Sequence, residues 1–402
     1  MANVKIKAIG LMDMLYFKGK PQKREKFIQG TEAKPLTEDY PTNIKAAERH
    51  PGKQEFVIDE IIKRGENVKT YVLKKKDGTN PAFFRAGQYV VVRQKVDGKL
   101  IARPVSISSG PEMSLRGKYC LTVKRVPDGF LSKYILDNWK VGDTVTTSGP
   151  QGTFYYEGIR DAKDVIAVAG GSGITPILSM AYAIADGDED FNLTILYGSR
   201  NKSEMLFQDE FKDIMKKTSK VKLVNVLSED DAEDCEHGFI TKELLKKYMG
   251  GKQCSIFAAG PQAMYRFLDG EIESLGIVRK YYRKELFGSI KQPWLIEGYP
   301  NEAKDKVFQL KVKMCDKEYN IPCNANESIL VALERAGIAG PNRCRGGVCG
   351  WCRSKLLSGD VFIPEDIDGR RQADKVHGYI HPCASFAVSD LYIEVPNNAE
   401  KL

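Results

Sequence analysis

Residues 341–355 read PNRCRGGVCGWCRSK and hold three cysteines within nine positions: Cys344, Cys349 and Cys352. A fourth cysteine, Cys383, follows in the stretch YIHPCASF. The chain carries nine cysteines and shows no sign of secretion, so a disulfide framework is not expected. Metal ligation is the prediction for these four thiols.

The spacing C-x4-C-x2-C with a distant fourth cysteine is typical of the ligands of a [2Fe-2S] cluster. Two irons bridged by sulfide take two protein thiolates each, so one loop can supply three and a separate segment the fourth. Gly346, Gly347 and Gly350 provide the permissive backbone that a tight loop needs, with N–H groups directed at sulfur. A structural zinc site is the alternative, but its usual second pair of closely spaced ligands is missing.

Composition narrows the remaining functions. At 402 residues and 42% hydrophobic content, the chain is large enough for two to four domains. The N-terminal stretch IKAIGLMDMLYF is too short for a membrane span and carries Asp13, so a cytoplasmic protein without a membrane span is expected. A formal charge of +8 is modest, and no nucleic-acid partner is predicted. The other five cysteines are predicted to be plain buried thiols: Cys120, Cys235, Cys254, Cys315 and Cys323.

The stretch DVIAVAGGSGITPILSMAYAI indicates a buried strand, a glycine turn and a helix. Thr175 is expected to cap the helix, with Pro176 at its first position. Such a turn can cradle phosphate, although Pro176 stands where G-x-G-x-x-G would have its third glycine. A tight loop in any α/β domain is the alternative. The apolar runs LTILYGSR, VKLVNVLS and CSIFAAGP follow and favour a parallel sheet covered on both faces.

Upstream, four short strand-like runs between residues 53 and 157 predict a small antiparallel barrel. In the last of them, Tyr119, Leu121 and Val123 alternate with other residues. The stretch PDGFLSKYI then places Gly129 and Ser132 at a helix start, which again suits phosphate.

With these motifs in order, the chain resembles the ferredoxin-reductase flavoproteins. The motifs are RPVS, GFLS, VGDTVTTSGPQG, GGSGITP and GPQAM. The segment from VFQLKVKMCDKEYN to LYIEVP resembles a plant-type ferredoxin, so the whole order is similar to that of phthalate-dioxygenase-reductase-type enzymes. The resemblance implies a multidomain protein: an antiparallel β-barrel flavin domain, an α/β parallel-sheet nucleotide domain and an α+β β-grasp ferredoxin domain.

The resemblance also implies roles for residues. FAD would be held through Arg103, Pro104, Val105 and Ser106 and, at its pyrophosphate, through Gly129, Phe130, Leu131 and Ser132. The nicotinamide dinucleotide would contact Gly170, Gly171, Ser172, Gly173, Ile174, Thr175, Ser199, Arg200, Gly260, Pro261 and Met264. The catalytic residues would be Ser106 near the flavin N5, Thr175 near the nicotinamide, and Glu285 and Phe287 beside the flavin. A charged helix end and a core aromatic are the alternatives for Glu285 and Phe287.

Two departures from the family pattern stand out. Val105 replaces an aromatic residue that could stack on the flavin, and Ala259 replaces a frequent cysteine. No acid occurs among residues 199–202 after the second strand, which taken literally favours NADPH. The likeness of YGSR to NADH-using relatives favours NADH, and this choice stays open.

The predicted organisation is an N-terminal extension over 1–52, an FAD-binding barrel over 53–157, an NAD(P)-binding domain over 158–290, a linker over 291–306 and a ferredoxin domain over 307–402. The extension is expected to be solvated and to pack one apolar edge on the barrel; a docking arm for a redox partner is the alternative.

The expected function is an NAD(P)H-dependent reductase that passes electrons through FAD and a [2Fe-2S] cluster to a separate protein, such as an oxygenase or another reductase or demethylase component. A ferredoxin:NAD(P) oxidoreductase or diaphorase, or a redox-sensing regulatory subunit, are the alternatives. If the arginines of the cluster loop, Arg343, Arg345 and Arg353, are exposed, the acceptor should carry an acidic docking patch.

Overall fold

The computed structural model describes residues 10–31, 40–127, 129–288 and 290–396. The chain divides into two compact units, Met1–Glu48 and Arg49–Leu402. The N-terminal helices are α1 Leu11–Phe17, α2 Lys20–Gly30 and α3 Pro41–Arg49. Several of their apolar side chains, among them Tyr16, Phe27 and Ile44, are exposed. The expected packing of this extension stays a prediction. Within the described residues, no helix is long and apolar enough to cross a bilayer.

The second unit begins with an antiparallel sheet of six strands. Its elements are β1 Gln54–Gly65, β2 Val68–Lys75, β3 Tyr89–Val96, β4 Lys99–Ser106, α4 Glu112–Leu115, β5 Lys118–Lys124, α5 Phe130–Asn138 and β6 Thr144–Thr147. The strand order is β4-β3-β6-β1-β2-β5. A bridge between Ile107 and Leu121 joins the two edges, so the sheet closes into a barrel. The alternating residues Tyr119, Leu121 and Val123 of β5 are buried in its core.

The β3–β4 hairpin sets the register of the flavin motif. Asp97 and Gly98 both have positive φ, 50° and 75°, as the two central residues of a type I′ turn require. The hairpin places Tyr89 opposite Ser106 and Val92 opposite Arg103.

A parallel sheet of six strands follows. Its elements are β7 Asp164–Gly170, α6 Ile174–Asp186, β8 Asn192–Ser199, α7 Gln208–Lys217, β9 Val221–Leu227, β10 Glu236–His237, α8 Lys242–Met249, β11 Cys254–Ala259, α9 Gln262–Glu273 and β12 Tyr282–Glu285. The order β10-β9-β8-β7-β11-β12 reverses at β7, so the carboxyl end of β7 is the switch point at which such sheets bind ligands. The side chains of alternate residues of β7 pack in two separate hydrophobic cores. Ala167 and Ala169 face α6, whereas Ile166 and Val168 face α9.

The C-terminal part is a mixed sheet crossed by a helix. Its elements are β13 Val307–Met314, β14 Lys317–Asn324, α10 Ile329–Arg335, β15 Ser354–Ser358, β16 Val361–Phe362, α11 Gln372–Val376, β17 Tyr379–Ile380, β18 Phe386–Ala387 and β19 Leu391–Glu394. The main sheet has the order β14-β13-β19-β15-β17, and β13 pairs with β19 in parallel. Ile329, Ala332 and Leu333 of α10 fill its core together with Leu310 and Ile393. Tyr299 anchors the preceding segment by donating a hydrogen bond to the Ala325 carbonyl at 3.2 Å.

The prediction of buried thiols outside the cluster is confirmed for Cys254 and Cys323. It is wrong for Cys315, which is exposed. Cys315 lies in the tight turn between β13 and β14 with a φ of 52°, and this turn directs it to solvent. Cys120 and Cys235 are partly buried.

Candidate functional site

The glycine turn after β7 meets the loop after β11. A Cβ atom on Gly173 would lie 1.9 Å from the Ala259 carbonyl oxygen, so only glycine allows this approach. Gly170 and Gly260 both abut the Met264 sulfur, where an added Cβ would lie at 2.9 and 2.8 Å. The structure therefore brings these predicted nucleotide residues together at the switch point.

The predicted capping role of Thr175 is wrong. A short 3-10 turn over Gly171–Gly173 runs directly into α6, so the helix already begins at Ile174. Thr175 is its second residue and Pro176 its third. The Thr175 hydroxyl donates instead to the Ser172 carbonyl at 2.8 Å, and the side chain is buried at the turn. Its predicted position near the nicotinamide stays a prediction.

A cavity of about 1040 Å³ lies between the barrel and the parallel sheet. Gly129, Phe130 and Arg200 line it, so two predicted phosphate regions share one space. Basic side chains that the sequence analysis missed also line it: Arg64, Lys124, Arg125 and Lys133. Two neighbouring residues that were predicted to bind the FAD pyrophosphate make contacts away from the cavity. Leu131 is buried in the barrel core, and the Ser132 hydroxyl accepts the Val126 N–H at 3.1 Å.

Glu204 is a second residue that the sequence analysis missed in this cavity. It lies four residues after Arg200 and forms an ion pair with its guanidinium, and its other oxygen lies 3.9 Å from Lys124 Nζ. Its position four residues after Arg200, just beyond residues 199–202, is the signal for it in the sequence. Ser199, the last residue of β8, has a buried hydroxyl oxygen with no partner among the described residues.

The flavin motif occupies β4. Ser106 is buried opposite Tyr89, and Val105 packs against the barrel core. Tyr89, which the sequence analysis did not single out, is also buried. Its ring meets the ring of Phe287 edge to face with centroids 4.8 Å apart. The same apolar cluster contains Cys344, so the barrel, the end of the parallel sheet and the cysteine loop meet here.

Glu285 is the last residue of β12 and pairs with Ala259, so the alternative of a charged helix end is wrong. Its carboxyl group is buried, and Oε2 has no hydrogen-bond partner in the described part of the chain. Burial raises the pKa of Glu285 well above its ordinary value. The Tyr265 hydroxyl fixes the backbone here, because it accepts the Gly260 N–H at 3.0 Å and donates to the Glu285 carbonyl.

The three loop cysteines and Cys383 form two pairs of thiols. The sulfurs of Cys352 and Cys383 lie 3.4 Å apart, and interaction with the Cys344 thiol lowers the pKa of Cys349 to about 6. The Gly346 N–H donates to the Cys344 sulfur at 3.4 Å, and the backbone N–H groups of Trp351 and Gly347 stabilise the thiolate forms of Cys349 and Cys383. Gly346 and Gly347 have no room for a Cβ atom, which would meet the carbonyl oxygens of Leu286 and Ile367 at 2.5 and 2.4 Å.

The pairing of these thiols separates the two metal hypotheses. Across the described residues, no three cysteine, histidine or carboxylate side chains converge on one metal position, as a mononuclear zinc site would need. Two thiolates per metal, with N–H groups directed at sulfur, fit the two irons of a [2Fe-2S] cluster.

The basic residues of the loop are less exposed than the docking hypothesis required. Arg345 is fully buried beside Glu334, and Arg343 is half-buried with its guanidinium 3.3 Å from the centre of the Trp351 ring. Arg353 is exposed but pairs with Asp374 at 2.7 Å. Val348 and Cys349 are exposed at the tip of the loop.

Three family models match the chain in succession. They are an oxidoreductase FAD-binding domain over residues 55–156, an oxidoreductase NAD-binding domain over 167–269 and a 2Fe-2S iron-sulfur cluster binding domain over 312–388. The chain is therefore an NAD(P)H-dependent flavin and iron-sulfur oxidoreductase that uses FAD and a [2Fe-2S] cluster.

Similar proteins narrow the class of oxidoreductase further. The chain is 27% identical over 328 residues to the glycine betaine monooxygenase reductase subunit of Chromohalobacter salexigens, covering 78% of this chain and 87% of that one. It is 25% identical over 315 residues to the NADH oxidoreductase HCR of Escherichia coli, covering 77% and 88%. Phthalate dioxygenase reductase has the same fold, with a TM-score of 0.63, 24% identity and coverage of 86% and 98%. The chain is a ferredoxin-reductase-type flavoprotein with a fused C-terminal [2Fe-2S] domain, and it passes electrons to a separate acceptor protein.

Proposed function

We propose that this chain is the NADH-dependent reductase component of an oxygenase system. The observation that carries the proposal is the junction of Tyr89, Phe287 and Cys344, which brings a cluster ligand against the flavin barrel. Relatives named as oxygenase reductase subunits support the class of acceptor. A cytoplasmic location stays a prediction from the sequence.

When bound, FAD accepts a hydride from the nicotinamide, and the cluster carries single electrons onward. The residues of the chain bind and orient these groups. Gly170, Gly171 and Gly173 form the turn at the end of β7 where the dinucleotide would lie, and the basic cavity wall attracts phosphate. Arg103 and Ser106 would hold the flavin on β4.

Tyr89 and Phe287 would exclude water between the flavin and Cys344. Glu285 would hold a proton beside them, because its buried carboxyl group favours the neutral form.

The ion pair between Arg200 and Glu204 supports NADH as the donor. A 2′-phosphate would have to free Arg200 from Glu204 and would then lie against a carboxylate. A ribose 2′-hydroxyl can instead donate to that carboxylate. Glu204→Gln should therefore raise the ratio of kcat/KM for NADPH over NADH by about tenfold or more, close to 1.4 kcal/mol.

Steady-state flavin reduction with both nucleotides tests this preference. Asp209→Asn is the matched control, because it breaks an exposed ion pair on the neighbouring helix α7. An unchanged ratio in Glu204→Gln would remove this residue from nucleotide selection. The wider proposal fails if NADH does not reduce the cluster of the intact protein.

We also propose that the acceptor docks at the loop tip around Val348 and Cys349, using an acidic patch. Exposure of these two residues supports the position, and the exposed Arg353 and Arg371 support the sign of the charge. Arg345 contributes nothing to steering, because it is buried. Arg353→Glu and Arg371→Glu should slow electron transfer to the acceptor and weaken its dependence on salt.

Stopped-flow measurements across a salt series, with the acceptor purified from the source cell, test the docking surface. Lys317→Glu, an exposed charge reversal at the start of β14, is the control. Rates that ignore both salt and the two arginine variants would exclude an acidic docking patch.

A further inference from the structure

Three charged side chains meet at the boundary between the barrel and the [2Fe-2S] domain: Glu334 and Arg345 are buried, and Arg103 is partly exposed. Glu334 lies on α10, Arg345 in the cysteine loop and Arg103 on β4. Arg345 donates two hydrogen bonds to the Glu334 carboxylate, at 2.7 and 3.0 Å. Arg103 Nη1 donates to the same two oxygens at 2.9 and 3.0 Å. One carboxylate therefore joins arginines of two domains.

Each arginine lies beside a centre of electron transfer. Arg345 directly follows the cluster ligand Cys344, has a positive φ of 58°, and has a side chain only 1% exposed. The conformation of the loop thus depends on the partner that Arg345 finds in Glu334. Arg103 belongs to the proposed flavin site, and its Nη2 and Nε atoms have no partner among the described residues, which leaves them for a flavin phosphate.

Burying Glu334 and Arg345 and partly burying Arg103 is costly, and apolar residues of similar volume often serve stability as well or better. Stability alone is therefore a weak reason for this arrangement. Two further contacts cross the same boundary: Lys99 Nζ donates to the Arg335 carbonyl at 2.7 Å, and Cys344 packs with Tyr89. All of these contacts hold the [2Fe-2S] domain against the flavin barrel.

We propose that Glu334 is a positioning residue for electron transfer from flavin to cluster, because its carboxylate fixes the cluster loop to the barrel through Arg345 and Arg103. This inference rests on the proposed function, in which electrons cross this boundary. The inference concerns only the geometry of electron transfer from the flavin to the cluster. The carboxylate also adds negative charge near the cluster.

Removing Glu334 has two effects of opposite sign. Loss of a buried negative charge favours the reduced cluster, so its reduction potential should rise and the driving force for transfer should increase. Loss of the shared ligand frees the loop from the barrel, and misplacement of reacting centres by about 1 Å can cost up to about a hundredfold in rate. If positioning dominates, transfer becomes slower although it is more favourable.

The test compares holoprotein variants by anaerobic stopped flow with NADH, following flavin and cluster absorbance separately. Glu334→Gln should slow flavin-to-cluster transfer by roughly ten- to a hundredfold, and by more than it slows flavin reduction, because Arg103 also belongs to the proposed flavin site. Its cluster potential, from an EPR-monitored titration, should rise. Glu334→Asp keeps the charge but is too short for both arginines, so its transfer should slow while its potential stays near that of the parent.

Glu318→Gln is the control, because Glu318 pairs with Lys311 on the outer surface of the same domain at 3.0 Å. Transfer in Glu334→Gln at or above the parent rate would overturn the inference, as would equal slowing in Glu318→Gln. If both Glu334 variants lose iron, Lys99→Met is the deciding variant, because it removes the hydrogen bond from Lys99 to the Arg335 carbonyl at the same boundary. Slower flavin-to-cluster transfer in Lys99→Met supports the positioning role, and transfer at the parent rate refutes it. Failure of the parent to reduce its own cluster would overturn the proposed function as well.

Discussion

Replacing Glu285 by glutamine is expected to stabilise the protein at alkaline pH and to leave its stability nearly unchanged at acid pH. The carboxyl group is buried at the end of β12, and Oε2 lacks a partner within the described residues. Burial raises its pKa in the folded chain. A group with a raised folded-state pKa holds its proton more tightly in the folded chain than in the unfolded chain.

The stability that this proton contributes is complete below the ordinary value of 4.5 and is lost as pH rises through the folded-state pKa. At pH 8 the parent therefore has a penalty for the buried carboxyl group that the glutamine variant lacks. An unsatisfied buried polar group costs about 1–3 kcal/mol, and more when charged. We expect Glu285→Gln to gain on the order of 1–3 kcal/mol at pH 8, or a few degrees in thermal midpoint.

Scanning calorimetry of the holoprotein from pH 4 to pH 9 measures this difference. Glu273→Gln, an exposed carboxyl at the end of α9, is the control and should shift stability by less than about 0.5 kcal/mol at every pH. A Glu285→Gln variant that is no more stable than the parent at pH 8 would refute the reasoning, because it would mean that Glu285 has a charged partner when the cofactors are bound.

Three further predictions concern the proposed cofactor residues. Ser106→Ala should slow flavin reduction by NADH by about tenfold or more, the usual loss for one positioned polar group, and unchanged stopped-flow rates would show that Ser106 does not act there. Cys349→Ser should abolish the cluster, measured as iron content, while flavin reduction continues; zinc in place of iron in the parent would contradict the cluster assignment. Gly173→Ala should destabilise the nucleotide domain by more than about 1–3 kcal/mol and abolish flavin reduction, because its Cβ would lie 1.9 Å from the Ala259 oxygen. Gly270→Ala on α9 is the control and should be tolerated, because open space surrounds Gly270.

The sequence predicts those features that depend on local patterns. Apolar runs followed by glycine turns indicate the parallel sheet, because buried strands between helices need apolar residues on both faces. The cysteine spacing indicates the cluster, because few other sites need three thiolates in nine positions.

Features that depend on contacts between residues far apart in the chain cannot be predicted from local sequence patterns. Arg345 looks like a surface charge in its own loop, and only the fold brings Glu334 and Arg103 to it. Tyr89 lies in an apolar strand and looks like ordinary barrel core, since its neighbour Cys344 belongs to another domain. Thr175 fails as a cap for a different reason: the preceding glycines adopt a 3-10 turn, which starts the helix earlier than the Thr-Pro signal indicates.

The two cysteines of one thiol pair differ in their exposure to solvent. Cys344 is buried against Tyr89 and Phe287, on the side of the flavin barrel, whereas Cys349 is exposed beside Val348. Since both thiols would bind the same iron, electrons would enter at one face of the loop and leave at the other. If the acceptor docks at the loop tip as proposed, Glu334 can hold the loop to the barrel during both transfers. Salt should then act on the encounter with the acceptor and leave the buried crossing from flavin to cluster unaffected.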